Sequence, residues 1–204
     1  YDQNGNVVQA IQADALYILD NDAGAGRILK MDPNNGNWLV SVTAAQIGAV
    51  TGFGSAWFTN ENDIVFDAAG SAFFTESWSG SVLEFAADGT ITVLADAAAL
   101  DAATPVAFQD GWANPLGITL GQDGNLYVIE GQSDSVLQIV PATGVVTLQV
   151  AAQTLVDQLA PIELVNLNDI EADCHGTLYV NNNDQDDNSV PYPDAIIAIS
   201  EARN

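Results

Sequence analysis

The chain repeats itself, and the period of that repeat constrains the fold more than any other feature. Tyr17, Phe73, Tyr127 and Tyr179 stand at equivalent places, 56, 54 and 52 residues apart. Nine residues before the last three aromatics stand Ile64, Ile118 and Ile170, and four residues before each Ile stands Asn60, Asn114 or Asn166. The aromatic segments "LYILDND" (16–22), "AFFTESW" (72–78), "NLYVIEG" (125–131) and "GTLYVNN" (176–182) are each followed by a short apolar run. These runs are "RILKMD" (27–32), "SVLEFAAD" (81–88), "SVLQIVPATG" (135–144) and "AIIAIS" (195–200). After the first three comes a Gly turn and an alternating segment, "GNWLVSV" (36–42), "GTITVL" (89–94) or "GVVTLQV" (144–150).

β-Branched residues, period-two alternation and Gly, Asn or Asp boundaries are strand and hairpin signals. One unit therefore reads as four short antiparallel strands, called here a, b, c and d. An Ala-rich crossover follows, such as "ADAAALDAA" (95–103), with the composition of a short helical turn. Four-stranded units of this length predict an all-β chain, a β-propeller of four four-stranded blades. A β-solenoid needs shorter single-coil periods, and an immunoglobulin-like sandwich would not repeat in this way. The blades fall at approximately 11–50, 60–100, 114–155 and 166–204, within a single domain spanning 1–204. The last unit has no strand d of its own. Val7 to Ala10 resemble one, so residues 1–10 are expected to complete blade four or to be donated to a neighbouring chain.

The segments "NPLGITLGQDGNLYVIEGQSDSVLQI" (114–139) and "NDIVFDAAGSAFFTESWSGSVLEFAADGTI" (62–91) resemble NHL-repeat and SMP-30/gluconolactonase-like propellers. That architecture hosts lactonases, lyases and binding modules alike. The resemblance implies a site where the innermost strands begin, at the central channel. The positions two before the repeat Ile hold Asn62, Leu116 and Asn168, with Gln9 in the first blade, and the next positions hold Asp63, Gly117 and Asp169. The "NDI" at 62–64 and 168–170 is similar to the metal-binding "NDI" of paraoxonases. Carried over, Asn62 and Asn168 face a metal, with Asp63 and Asp169 beside them. The chain departs from that pattern, because one histidine cannot form a histidine pair and the ring holds no acidic base. The alternative for these residues is purely structural, since Asn and Asp at strand starts cap turns and bond exposed backbone.

Charge bears on ligands. Asp and Glu number 27 against 3 Lys and Arg, giving −24. Such a chain repels phosphate backbones and anionic membranes, which excludes nucleic acid as a partner. It favours cations, and calcium above all, which takes hard oxygen ligands. Calcium is thus the cofactor to expect, at the channel ring or in the loop "NNNDQDDN" (181–188), where Asp184, Asp186 and Asn188 alternate. That loop completes no EF-hand, and a solubilising acidic surface is the alternative reading. No apolar run is long enough to span a bilayer, so membrane insertion is not expected. The sequence contains no GxSxG, CxxC, HExxH or GxxxxGK. The lone His175 and Cys174, in "ADCHGT", fall in the a–b turn of the fourth unit. His175 is read as a turn residue and Cys174 as a small buried one.

These readings converge on a secreted or cell-surface binding or scaffolding module that takes a protein, small-molecule or glycan ligand on a propeller face. The first alternative is a metal-dependent lactonase of SMP-30 type. The second is a structural subunit that forms a homo-oligomer or filament by strand exchange.

Overall fold

A computed structural model describes residues 16–20, 27–32, 34–52, 61–104, 112–159, 166–182 and 195–200. The described strands form four antiparallel sheets, one per repeat. Blade 1 contains β1 (Tyr17–Asp20), β2 (Arg27–Met31) and β3 (Trp38–Thr43), which are its strands b, c and d. Blade 2 contains β4 (Glu61–Phe66), β5 (Ala72–Glu76), β6 (Ser81–Phe85) and β7 (Ile91–Ala95). Blade 3 contains β8 (Pro115–Leu120), β9 (Leu126–Glu130), β10 (Ser135–Val140) and β11 (Val145–Val150). Blade 4 contains β12 (Leu167–Ala172), β13 (Leu178–Asn182) and β14 (Ala195–Ile199), which are its strands a, b and c. The inner strands pack in series, β4 against β8 and β8 against β12. The chain is a four-bladed β-propeller arrangement. Residues 1–10, expected to close or donate a strand, lie outside the described residues.

The core sits between blades rather than within them. In β5, Phe74 joins Ile28 and Val42 of blade 1, while Phe73 faces Leu126, Val128 and Leu137 of blade 3. In β9, Val128 faces blade 2, whereas Tyr127 and Ile129 join Ile170, Leu178 and Val180 of blade 4. Successive side chains of a strand point to opposite faces, so a central blade buries both sets. All five residues of β5 and of β9 are therefore buried, and each large apolar side chain contributes about 1.5–3 kcal/mol. The end blades bury one set only. Leu16 and Ile18 at one end, and Tyr179 and Ile196 at the other, are exposed.

The Ala-rich crossovers are helices α1 (Ala44–Thr51), α2 (Ala97–Ala103) and α3 (Ala152–Leu159). Thr43 and Gln46 form a reciprocal capping box at the start of α1, and Asp96 caps α2 through the Ala99 N–H. Helix α1 lies on β7 and α2 on β11, so these two crossovers cover the outer strand of the next blade. Ile47, Leu100 and Leu155 carry each helix into an inter-blade core. Among the described residues no helix is long and apolar enough to cross a membrane.

Each described inner strand carries a bulge at the same place. Residues 62–63 oppose one residue of β5, 116–117 one of β9, and 168–169 one of β13. The sequence motif before the repeat Ile is thus the bulge itself. At Gly117 a Cβ would lie 2.7 Å from Asp169 Cα and 2.9 Å from Asn168 O, so only glycine lets β12 approach β8 this closely. The obstructing atoms are backbone and cannot rotate away. Gly117→Ala should cost about 1–3 kcal/mol through overpacking. For a chain of this size that lowers the melting temperature by roughly 2–4 °C per kcal/mol. A thermal scan that shows no loss would contradict the close approach of these two strands.

Candidate functional site

The ladder registers put the starts of the inner strands and the b–c turns at one end of the blades. Glu61 pairs with Glu76, Pro115 with Glu130 and Leu167 with Asn182. Two buried carboxylates organise this rim. Glu76 Oε1 accepts the Trp78 N–H at 2.9 Å, and its Oε2 accepts the Ser79 N–H at 2.8 Å and the Ser79 hydroxyl. Glu130, fully buried, repeats the arrangement in blade 3. Its Oε1 accepts the N–H groups of Asn114 (2.8 Å) and Gln132 (3.3 Å), and its Oε2 accepts the N–H (2.8 Å) and hydroxyl (2.6 Å) of Ser133. A carboxylate supplies about four lone-pair sites, so each of these acids saturates a whole turn from below.

The rim is also locked from blade to blade. The Thr75 hydroxyl donates to the Leu116 carbonyl at 2.6 Å, and the Ser77 hydroxyl to the Pro115 carbonyl at 3.3 Å. Asp134, in the left-handed region at φ 47°, accepts the Leu167 N–H at 3.1 Å. Gly80 holds the same place in blade 2, where a Cβ would meet the Ala113 carbonyl at 2.9 Å.

Between the rims of blades 2 and 3 lies a hollow of about 250 Å³, lined by Ser77, Trp78, Trp112, Ala113, Asn114 and Gln132. The Trp78 and Trp112 rings meet edge to face, with centroids 6.1 Å apart and planes at 76°. Both remain exposed, at 39% and 43%. The sequence reading missed this pair because its members are 34 residues apart and belong to different repeats. It also missed Glu76 and Glu130. The signal was present in "ESWSGS" (76–81) and "EGQSDS" (130–135), which share a Glu, a Ser three residues on and another five residues on.

In the channel ring the described carboxylates bond backbone groups. Asp63 Oδ1 accepts the N–H of Ile64 in its own blade at 2.8 Å, and Oδ2 accepts the N–H of Ile118 in the next at 2.9 Å. Asp169 Oδ1 accepts the Ile170 N–H at 2.9 Å. The bulge N–H groups of Asn168 and Asp169 both bond the Asn181 side-chain oxygen, at 3.1 and 2.7 Å. Leu116 and Gly117 bring no side-chain oxygen to the third position. Among the described residues no three His, Cys, Asp or Glu side chains gather as a ligand group. Calcium takes six to eight oxygens, and the described part of this ring does not fit it. For Asn62 the structure describes the backbone bulge alone, and Asp184, Asp186 and Asn188 lie outside the described residues.

At the opposite end, Asp173 Oδ1 accepts the N–H groups of His175 (2.8 Å) and Thr177 (2.9 Å), folding the turn that His175 was expected to occupy. Cys174 departs from expectation. It is exposed, because it sits on the outer corner of that turn. Arg27 pairs with Asp20 at 2.8 Å across the β1–β2 hairpin.

Burial raises the pKa of Asp63 despite the Ile118 and Ile64 N–H groups, and the carboxylates of Asp169 and Glu171 add to the rise. Burial likewise raises Asp134, against the Leu167 N–H. The turn acids move the other way. Asp88 is held low by Thr90, and Asp173 by the N–H groups of Thr177 and His175. Burial works to raise Asp123, but bonds from Asn125 and Tyr127 outweigh it and leave it low.

No protein-family model matches the chain, and no curated protein matches it. Solved structures do. A putative gluconolactonase superposes with a TM-score of 0.55 at 16% identity, covering 85% of this chain and 55% of that one. A chain of a nidogen/laminin complex gives 0.53 at 14%, covering 82% and 51%. Virginiamycin B lyase from Staphylococcus aureus gives 0.51 at 14%, covering 91% and 51%. The chain spans about half the length of these structures, and the likeness is one of fold alone, a β-propeller.

Two outcomes are expected. Glu130→Ala removes the acceptor of the part-buried N–H groups of Asn114, Gln132 and Ser133, and hydrogen bonds to a charged group contribute about 1.5–3 kcal/mol each. Denaturant unfolding should therefore show a loss above about 3 kcal/mol, whereas a neutral result would show that the turn does not depend on this acid. The second outcome concerns pH. Asp63 and Asp134 have folded values above 3.8, so the folded chain binds those protons more tightly and stability rises as pH falls through those values. Asp88, Asp123 and Asp173 lie below 3.8, so their contribution is present above 3.8 and is lost as pH falls through their folded values. Relief of self-repulsion from −24 charges also favours the acid side. The melting temperature should peak on the acid side of neutrality and drop steeply below 3.8. A maximum on the alkaline side, at constant ionic strength, would contradict this assignment.

Proposed function

We propose that this chain is the ligand-binding part of an acidic, extracellular or cell-surface propeller that binds rather than transforms its ligand. One observation carries the reading: a rim pinned from below by Glu76 and Glu130 presents two exposed tryptophans around a hollow. Holding apolar rings in water on a rigid frame is unfavourable unless something covers them, and a frame already ordered loses little entropy on binding. The channel does not offer an evident base, since both oxygens of Asp63 already accept backbone N–H groups.

The lactonase-type reading draws on a different observation. Asp63, with its raised pKa, lies near the carboxylates of Asp169 and Glu171, an arrangement that can tune a proton-transfer group. A role as a polymerising subunit draws on the exposed Ile196 and Tyr179 of blade 4 and Leu16 and Ile18 of blade 1. Calcium remains a proposal for the loop holding Asp184, Asp186 and Asn188.

The deciding measurement is hydrolysis of δ-gluconolactone and of an aryl ester with calcium, manganese or zinc added in turn. The binding reading expects no rate above buffer with any metal. Turnover that Asp63→Asn abolishes would replace it with the lactonase.

A further inference from the structure

We propose that the hollow between the rims of blades 2 and 3 holds one neutral pyranose ring of a glycan. This rests on the binding reading above and names the ligand class. Three observations point to it. The first is size: about 250 Å³ falls just under the roughly 300–1,000 Å³ of drug-sized sites, which suits a single ring better than a peptide segment. The second is the lining. Two tryptophan faces at 76° to each other form a corner, and an aromatic face carries negative potential that attracts polarised C–H bonds. A pyranose offers such bonds on its apolar face and hydroxyls around its edge. Asn114 and Gln132 supply two amides, which both donate and accept as vicinal hydroxyls do, and the Ser77 hydroxyl, which donates to the Pro115 carbonyl, adds an acceptor.

The third observation is charge. None of the six described lining residues is ionisable, within a chain of net charge −24. The overall field opposes uronic acids, sulfated sugars and phosphates. A quaternary ammonium would find aromatic faces here but no carboxylate among the lining residues to pair with. A neutral hydroxylated ring matches every lining group. The rim is also preorganised for it. The N–H groups of Trp78, Asn114 and Gln132 are spent on Glu76 and Glu130, which fixes the backbone beneath the hollow.

The test uses the full chain and the methyl pyranosides of glucose, galactose and mannose, with glucuronate and choline as charged comparators. Saturation transfer from protein to sugar protons and the tryptophan emission are followed together. At least one neutral pyranoside should bind in the millimolar range, receiving saturation on its axial C–H protons, and the charged probes should not compete. Trp112→Ala and Trp78→Ala should each weaken it by about tenfold, and Gln132→Ala should weaken it while leaving both rings in place. Circular dichroism confirms that each variant is folded. The inference falls if no neutral pyranoside binds the folded chain, if binding survives both tryptophan changes, or if choline displaces the sugar. Lactone turnover, measured on the same preparations, judges the binding reading separately: a silent sugar experiment without turnover removes only the sugar.

Discussion

The rim of blades 2 and 3 depends on placing a buried carboxylate under the b–c turn of each. Burying a charge is unfavourable unless hydrogen bonds replace its hydration. Glu76 and Glu130 meet that condition by taking up the N–H groups of tight turns that no strand could satisfy. Charge and turn therefore stabilise each other. The same bonds set where β5 ends and β6 begins, where Trp78 emerges, and, through Asn114, where β8 starts relative to β9. Blade 4 holds Asn182 at the equivalent place, where its side-chain oxygen accepts the Asn166 N–H at a longer 3.4 Å. A neutral amide offers one acceptor oxygen where the acid offers two.

The inner-strand bulges tie this frame to the channel. An extra residue per strand turns Asp63 across the gap, where it joins its own blade to the next through two backbone N–H groups. Between blades 3 and 4 the same position is Gly117, and the link becomes close backbone packing supported by Thr119, whose hydroxyl accepts the Ala172 N–H at 3.3 Å. One topological position thus serves two kinds of joint, a hydrogen-bonded bridge and a steric fit. Among the described residues, the ring's carboxylates are thus engaged with backbone groups, that of Asp63 in joining blades.

The fold was legible because the repeat acts through geometry that sequence records directly. Ile64, Ile118 and Ile170 mark the first residue after each bulge and pack into the inter-blade cores, as do Phe73 of β5 and Tyr127 of β9. The Ala-rich crossovers were legible from composition, and the place of His175 from the turns of the other units. What escaped depended on contacts between repeats. Trp78 and Trp112 meet only because two blades stand side by side, and the span of Asp63 to Ile118 needs the bulge that aims it. Glu76 and Glu130 also depend on contacts with a folded turn, although the Ser three residues later in each copy marks that turn in the sequence. Cys174 was misjudged because thiols are usually buried, whereas the corner of a turn has no interior to offer.

The uneven burial of the blades also orders the molecule in time. In a stack whose units touch only their neighbours, each unit's persistence is its own stability plus that of its interfaces. Blades 2 and 3 have β5 and β9 buried on both faces, whereas β13 is covered on one. Among the described strands, β5 and β9 are therefore the last to open to water. The tryptophan hollow sits between the blades that hold them. A ligand there meets a surface carried by the two strands that stay covered longest.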